Sequence, residues 1–286
     1  MSPPRTFSID AFDPAELRQS YIDNGYVIVK DTMTASEREE LDTELKKFNR
    51  GDYGLFNGIE PVDWELDDER LLARYTYAGQ AHAVSEVVSR YVTHPGLVSV
   101  LDHIVGANVP FWDGGYNCVQ TMFVSKEPYG TGSPWHQDEH PIPTRDRSLT
   151  GVWIPTSDVT IDNGCLWIIP DSHKSGTIWD RHDHGKPNID SHKEAQGFND
   201  SSAIPVELEA GSALFFSGYL LHSARKNTTD AYRPAFTLHY TSSTTLLTWR
   251  GERNYRGVVP IKGIDPYADE GYITPSPWVH IEKDDS

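Results

Sequence analysis

A β-rich antiparallel sandwich or barrel prefaced by helices is the fold class the sequence predicts, on three observations. After residue 107, short apolar or alternating runs follow one another, each closed by Gly, Pro, Asn or Asp. No helical pattern alternates between them, which argues against a βαβ fold. The first hundred residues carry helical signals around one short strand-like run.

In chain order, the first helix opens at Asp13-Pro14, an N-cap followed by proline at the first helical position, and closes at Asn24-Gly25. YVIVKD is β-branched and reads as a strand. The second helix starts at Thr34, with Glu37 three residues on as a capping box, and sets Leu41 and Leu45 on one face. Helical segments are expected over 80–92 and 95–105, the latter ending at Gly106. The strand-like runs that follow are VPFW, NCVQTMFVS, LTGVWIPTSDV, CLWIIP, AIPVELEAG, SALFFSG and PAFTLHYTSS. No linker-like stretch separates the two parts. The chain therefore reads as one domain, with a mostly helical part over 1–106, a β core over 107–245 and a tail over 246–286. A long polar insertion at 174–203 interrupts the core, and loops of that length are usually functional or disordered.

Bulk properties narrow the function. At 286 residues the chain is long enough for a substantial core, and 37% hydrophobic with 23% charged residues is ordinary for a globular protein. A formal net charge of −17 argues against sequence-independent nucleic-acid binding and against an anionic membrane surface. No apolar run reaches the length of a membrane span, and MSPPRTFSID does not read as a secretory leader. A cytoplasmic chain is expected, in which Cys118 and Cys165 are two buried thiols rather than a disulfide.

The stretch GTGSPWHQDEH concentrates the chemistry. A facial non-haem iron site needs two imidazoles and one carboxylate, with the remaining positions open. On a strand, His136 and Asp138 would project to one side while Gln137 faces away. A third ligand must come from a distant strand, and His222, after an apolar run, meets that need. Arg233 follows in a His-X10-Arg pattern and opens PAFTLHY, well placed to clamp a carboxylate. An iron- and 2-oxoglutarate-dependent oxygenase requires such a set. Two decoys carry less. His182-Asp183-His184 sits in polar, turn-rich sequence and reads as a solvated loop. The His136/His140 spacing suggests a helical zinc pair, but Pro134, Pro141 and Pro143 oppose a helix there.

The stretches VQTMFVSKEP, HQDEH, GVWIP and DNGCLWIIPDSHKSG, with His222 and Arg233, resemble the phytanoyl-CoA dioxygenase family. That resemblance covers roughly 20–30 and 94–245. It implies a double-stranded β-helix, a cupin-like jelly roll flanked by N-terminal helices. It implies iron(II) held by His136, Asp138 and His222, with 2-oxoglutarate and dioxygen as co-substrates. It places Arg233 on the far carboxylate of 2-oxoglutarate, and Trp153 and Met122 on the wall of its pocket. No catalytic side chain beyond the metal centre is implied. Some members add a lysine before the third helix; the stretch YTYAGQ has none, which leaves Tyr75 and Tyr77 as conjecture. Halogenating relatives lack the carboxylate, so Asp138 points to hydroxylation or another oxidation.

For the remaining residues, bland readings stand beside functional ones. Trp135 and His140 are candidates to face the substrate. His173 is expected to shape a turn, and His239 to be a packed strand residue. Arg250, Arg253 and Arg256 suit a salt-bridged loop, with an anionic substrate group as the other use. The substrate is expected to be a small molecule, a secondary metabolite or amino-acid-like compound. An acyl-CoA ester and a non-catalytic metal-binding jelly roll are the alternatives. The carboxyl-terminal Asp-Asp-Ser is no peroxisomal address, which weakens the acyl-CoA reading. The 50–75 segment, the 174–203 insertion and the tail are the expected specificity elements.

Overall fold

Helices α1 (Pro14–Asn24), α2 (Ala35–Arg50), α3 (Asp68–Leu72), α4 (Glu86–Val92) and α5 (Pro95–Ile104) all fall in the amino-terminal part of the computed structural model. The structure describes residues 5–62, 65–247 and 258–264. The strands are β1 (Thr6–Ser8), β2 (Tyr26–Lys30), β3 (Tyr77–Gly79), β4 (Tyr116–Lys126), β5 (Ser133–His136), β6 (Thr150–Pro155) and β7 (Leu166–Ile168). After them come β8 (Arg181–Asp183), β9 (Lys193–Ala195), β10 (Ile204–Val206), β11 (Ala213–Ser217), β12 (His222–Ala224), β13 (Arg233–Ser242) and β14 (Val259–Lys262).

The major sheet runs β1-β2-β11-β6-β13-β4-β14, with β3 also on β4, and the minor sheet runs β10-β7-β12-β5. They pack face to face as the jelly roll expected from the resemblance. Side-chain parity shows why the major strands are almost continuously apolar. Val27, Val29, Val152, Phe215 and Leu238 point outward into the core shared with the helices. Tyr26, Ile28, Trp153, Leu214 and Phe216 point inward, against Leu166, Ile168 and Val206 of the minor sheet. A strand buried on both faces has no polar face to alternate with.

Local chemistry sets the helix ends. Asp13 caps α1, Thr34 and Glu37 form the capping box of α2, and Leu41 and Leu45 are buried. Gly25 ends α1 with φ of 81°, its N–H donating to Tyr21 O at 2.8 Å. His173 lies over it, and its Nε2 is 2.9 Å from Ile22 O, so this histidine packs on the end of α1. A Cβ on residue 25 would sit 2.4 Å from His173 Nδ1. Gly25→Ala is therefore expected to cost about 1–3 kcal/mol through left-handed strain alone. Urea unfolding measures it, and an unchanged midpoint would contradict the left-handed strain.

Three expectations need correction. The 80–92 segment is not one helix: Gln80 adopts φ of 56°, residues 81–83 form a 3-10 turn, and Ser85 caps a new helix by accepting from Val88 N. VPFW is a turn, because Phe111 has φ of 59° and Trp112 Nε1 donates to Gly115 O. The 174–203 insertion is not a plain loop. It contains the β8–β9 hairpin, and its Trp179 and Phe198 pack with Trp135, Ile169 and Leu221 on the outer side of the minor sheet. The amino-terminal part also contributes β1, β2 and β3 to the major sheet.

Cys118 and Cys165 are free and buried, their thiols pushed up by burial to about 12 and about 11. Among the described residues no helix is long and apolar enough to cross a membrane. Arg250, Arg253, Arg256 and most of the 246–286 tail lie outside the described residues.

Candidate metal centre

The minor sheet brings the distant histidine to the histidine-acid pair. β12 runs antiparallel to β5, and His222 pairs directly with His136, so both imidazoles leave the same face. Their ring centroids are 4.1 Å apart. Asp138 does not lie on the strand, as the alternation argument supposed. β5 ends at His136, and Asp138 begins a tight turn in which Ile142 N donates to Asp138 O at 3.0 Å. Gln137 does face away: its Nε2 donates to Tyr219 O and Thr177 O, and its Oε1 accepts from Trp179 N. That buried amide fastens the insertion behind the turn.

Donor atoms converge. Asp138 Oδ1 is 3.7 Å from His136 Nε2 and 3.6 Å from His222 Nε2, and the three atoms lie within 4.8 Å of one another. One ion with bonds of about 2.0–2.2 Å spans such a set. The tautomers suit it. His136 Nδ1 is 2.8 Å from Pro134 O and His222 Nδ1 is 3.0 Å from Leu220 O. A neutral imidazole that gives its proton to a carbonyl through Nδ1 leaves a bare lone pair on Nε2.

Electrostatics agree. Burial, then His222, lowers the pKa of His136 to about 4, so it is neutral at physiological pH although its ring edge opens on the cavity. Burial would raise the Asp138 carboxyl, but His222 and His239 outweigh it and hold it well below the usual carboxylate range. The site thus presents two lone pairs and one anion.

A cavity of about 350 Å³ adjoins this group, with Met122, Trp153, Thr237 and Arg233 on its wall. Arg233 opens β13 and is 2% exposed. Its Nε and Nη1 are buried without a partner among the described residues, its Cζ is 5.3 Å from the Trp153 ring centre, and burial lowers its pKa to about 10. A buried guanidinium with orphaned donors is costly unless an anion joins it. Lys126 stands opposite in the β4–β13 ladder and also lines the cavity. Its Nζ donates to Thr131 O at 2.9 Å and Arg225 O at 2.7 Å, while burial, then Arg233, lowers its pKa to about 7.

Two substrate candidates are not where the sequence reading put them. Trp135 leaves the opposite face of β5 from His136 and packs with Phe198, because neighbours on a strand alternate. His140 is exposed on the turn and lies outside the cavity wall. The decoy His182-Asp183-His184 begins in β8 with His182 and Asp183 exposed. Tyr77 lines the cavity mouth, whereas Tyr75 Oη accepts from Glu60 N instead. Sequence reasoning did not single out Lys126, and it took His239 as a packed strand residue with no place at the site. The signal for His239 was parity, since residues 233, 237 and 239 share the inward face of β13.

The family model for phytanoyl-CoA dioxygenase (PhyH) matches residues 21–235. The peroxisomal phytanoyl-CoA dioxygenase of Rattus norvegicus is 24% identical over 245 residues, covering 80% of this chain and 68% of that protein. Phytanoyl-CoA dioxygenase domain-containing protein 1 of the same organism is 30% identical over 193 residues, covering 65% of this chain and 62% of that one. Among solved structures, the epimerase SnoN in complex with Fe3+, alpha ketoglutarate and nogalamycin RO superposes with a TM-score of 0.61 at 20% identity. That superposition covers 88% of this chain and 98% of SnoN, and at this identity it speaks to the fold alone.

Proposed function

Since the chain belongs to the phytanoyl-CoA dioxygenase (PhyH) family of iron(II)/2-oxoglutarate-dependent oxygenases, we propose that His136, Asp138 and His222 hold its iron and that Arg233 anchors its 2-oxoglutarate. The observation that carries this reading is the joint placement of the His136/Asp138/His222 cluster and a buried arginine without a partner among the described residues on one cavity. The residues fit both groups. Two bare Nε2 atoms and one anionic oxygen are the donor set of a facial iron site with open positions. The orphaned Nε and Nη1 of Arg233 match a carboxylate.

Iron, when bound, supplies the oxygen chemistry: 2-oxoglutarate, dioxygen and a substrate C–H bond become succinate, carbon dioxide and an alcohol. The protein's own part is placement. Arg233 orients the distal carboxylate, Trp153 and Met122 wall the chain of the oxo acid, and the cavity keeps water away. No side chain is needed as an acid or base.

The substrate we favour is a small molecule, a secondary metabolite or amino-acid-like compound. Glu127 and Asp190 stand at the cavity with Lys126, and the chain carries −17, so a polyanionic ester meets an unfavourable field. The names of the curated relatives favour a second reading, acyl-CoA hydroxylation. Parallel turnover assays with acyl-CoA esters and with their free acids separate the two.

The first test is succinate release from 2-oxoglutarate by purified protein given iron(II), ascorbate and air. Uncoupled turnover that disappears in His136→Ala supports the assignment. Absence of both turnover and iron-dependent 2-oxoglutarate binding would overturn it.

A further inference from the structure

His239 belongs to neither half of the proposed site, yet its Nε2 lies 2.9 Å from Asp138 Oδ2 and both side chains are nearly inaccessible. The two oxygens of Asp138 have separate surroundings. Oδ1 is 3.7 and 3.6 Å from His136 and His222 Nε2, while Oδ2 is hydrogen-bonded to His239. Resting on the metal reading above, we propose that His239 is a positioning residue, donating Nε2–H to Asp138 Oδ2 so that the carboxylate meets the metal through Oδ1 alone.

The tautomer follows from its surroundings. His239 Nδ1 is buried with no partner among the described residues, so a proton there would find no acceptor among them. The donor that this geometry favours is Nε2–H, against the carboxylate. His136 and His222 have the opposite arrangement, with Nδ1 on a carbonyl and Nε2 bare. Three histidines around one aspartate are thereby sorted by hydrogen bonding into two lone-pair donors and one proton donor. His239 is also rigidly held, in the middle of β13 with ladder partners Gln120 and Gly151 on either side. The turn that carries Asp138 lies beyond the end of β5, so His239 ties that turn to the major sheet. Without the bond, Oδ2 could swing to the metal and occupy a position that the oxo acid needs. Partners in this outer layer typically contribute about 10–100-fold to metal affinity.

The test uses the metal-free full chain and cobalt(II) as the probe. Calorimetric titration of wild type, His239→Phe and His239→Gln separates ring packing from proton donation. His239→Phe is expected to bind cobalt(II) about 10–100-fold more weakly. His239→Gln, which keeps an N–H donor, should recover most of that loss. Wild-type affinity in His239→Phe, or a His239→Gln as weak as His239→Phe, would overturn the role. Nitrogen-15 spectra of the wild-type imidazoles need no variant to fold. They should show His239 protonated on Nε2 with Nδ1 bare, and the reverse for His136 and His222; an Nδ1-protonated His239 defeats the proposal. If wild-type protein binds no cobalt(II) at all, the metal reading itself fails and this inference falls with it.

Discussion

Replacing Arg233 by leucine is expected to abolish useful 2-oxoglutarate binding while leaving the folded protein intact or more stable. The guanidinium is 2% exposed, and two of its nitrogens lack any partner among the described residues. A buried cation in that state carries its desolvation cost without compensation until an anion arrives. Truncating one member of a buried, hydrogen-bonded charge pair costs about 2–5 kcal/mol, or roughly 30- to several-thousand-fold in affinity. Leucine removes the unpaired charge from the ligand-free protein, and such replacements are often neutral or stabilising. Arg233→Lys should fall between the two, because lysine keeps the charge but loses the two-pronged geometry. Titration of the cobalt(II)-loaded protein with 2-oxoglutarate reads the first effect, and thermal unfolding without ligand reads the second. Unchanged affinity would mean that the oxo acid's far end lies elsewhere, with Lys126 the nearest alternative cation.

The residues proposed to hold iron and co-substrate stand out in the sequence because they have local signatures. His136 and Asp138 stand one residue apart after a Gly/Pro turn, and Arg233 heads an apolar strand. His136 and Asp138 do converge, but not by strand parity: a tight turn rather than a pleat delivers Asp138. Parity, applied one residue earlier, would have sent Trp135 to the opposite face; nearness in sequence to a ligand misled there. Applied along β13, it would have drawn His239 inward with Arg233. Lys126 needed more than parity: only the β4–β13 register places it opposite Arg233, and register depends on long-range pairing. The same limit affects the expected specificity elements. In the 50–75 segment Phe56, Ile59 and Leu71 are buried. Of the 174–203 insertion, Asp190 is the one residue on the cavity wall. An apolar pattern announces that a segment packs, but not which face of the barrel it packs on.

Asp138→Ala should be the most damaging single change at the metal centre, and the reason lies in what remains after it. The carboxylate is the one anion among three imidazoles, and His222 and His239 hold it ionised against the cost of burial. Its removal deletes one of three donor atoms and leaves His239 Nε2–H without an acceptor. Losing the one anionic donor should cost more than the about 10–100-fold of an outer-layer partner, so cobalt(II) affinity is expected to fall more than about 100-fold. The space vacated is the size of a small carboxylate, walled by the same imidazoles. Formate added to Asp138→Ala should therefore restore part of the lost affinity, accepting from His239 with one oxygen and meeting the metal with the other. His239→Phe combined with Asp138→Ala removes that anchor, and formate should then have little effect. Equal restoration in both proteins would show that formate binds the metal unaided. In that case the bond between His239 and Asp138 would serve the packing of the turn and not the orientation of a ligand.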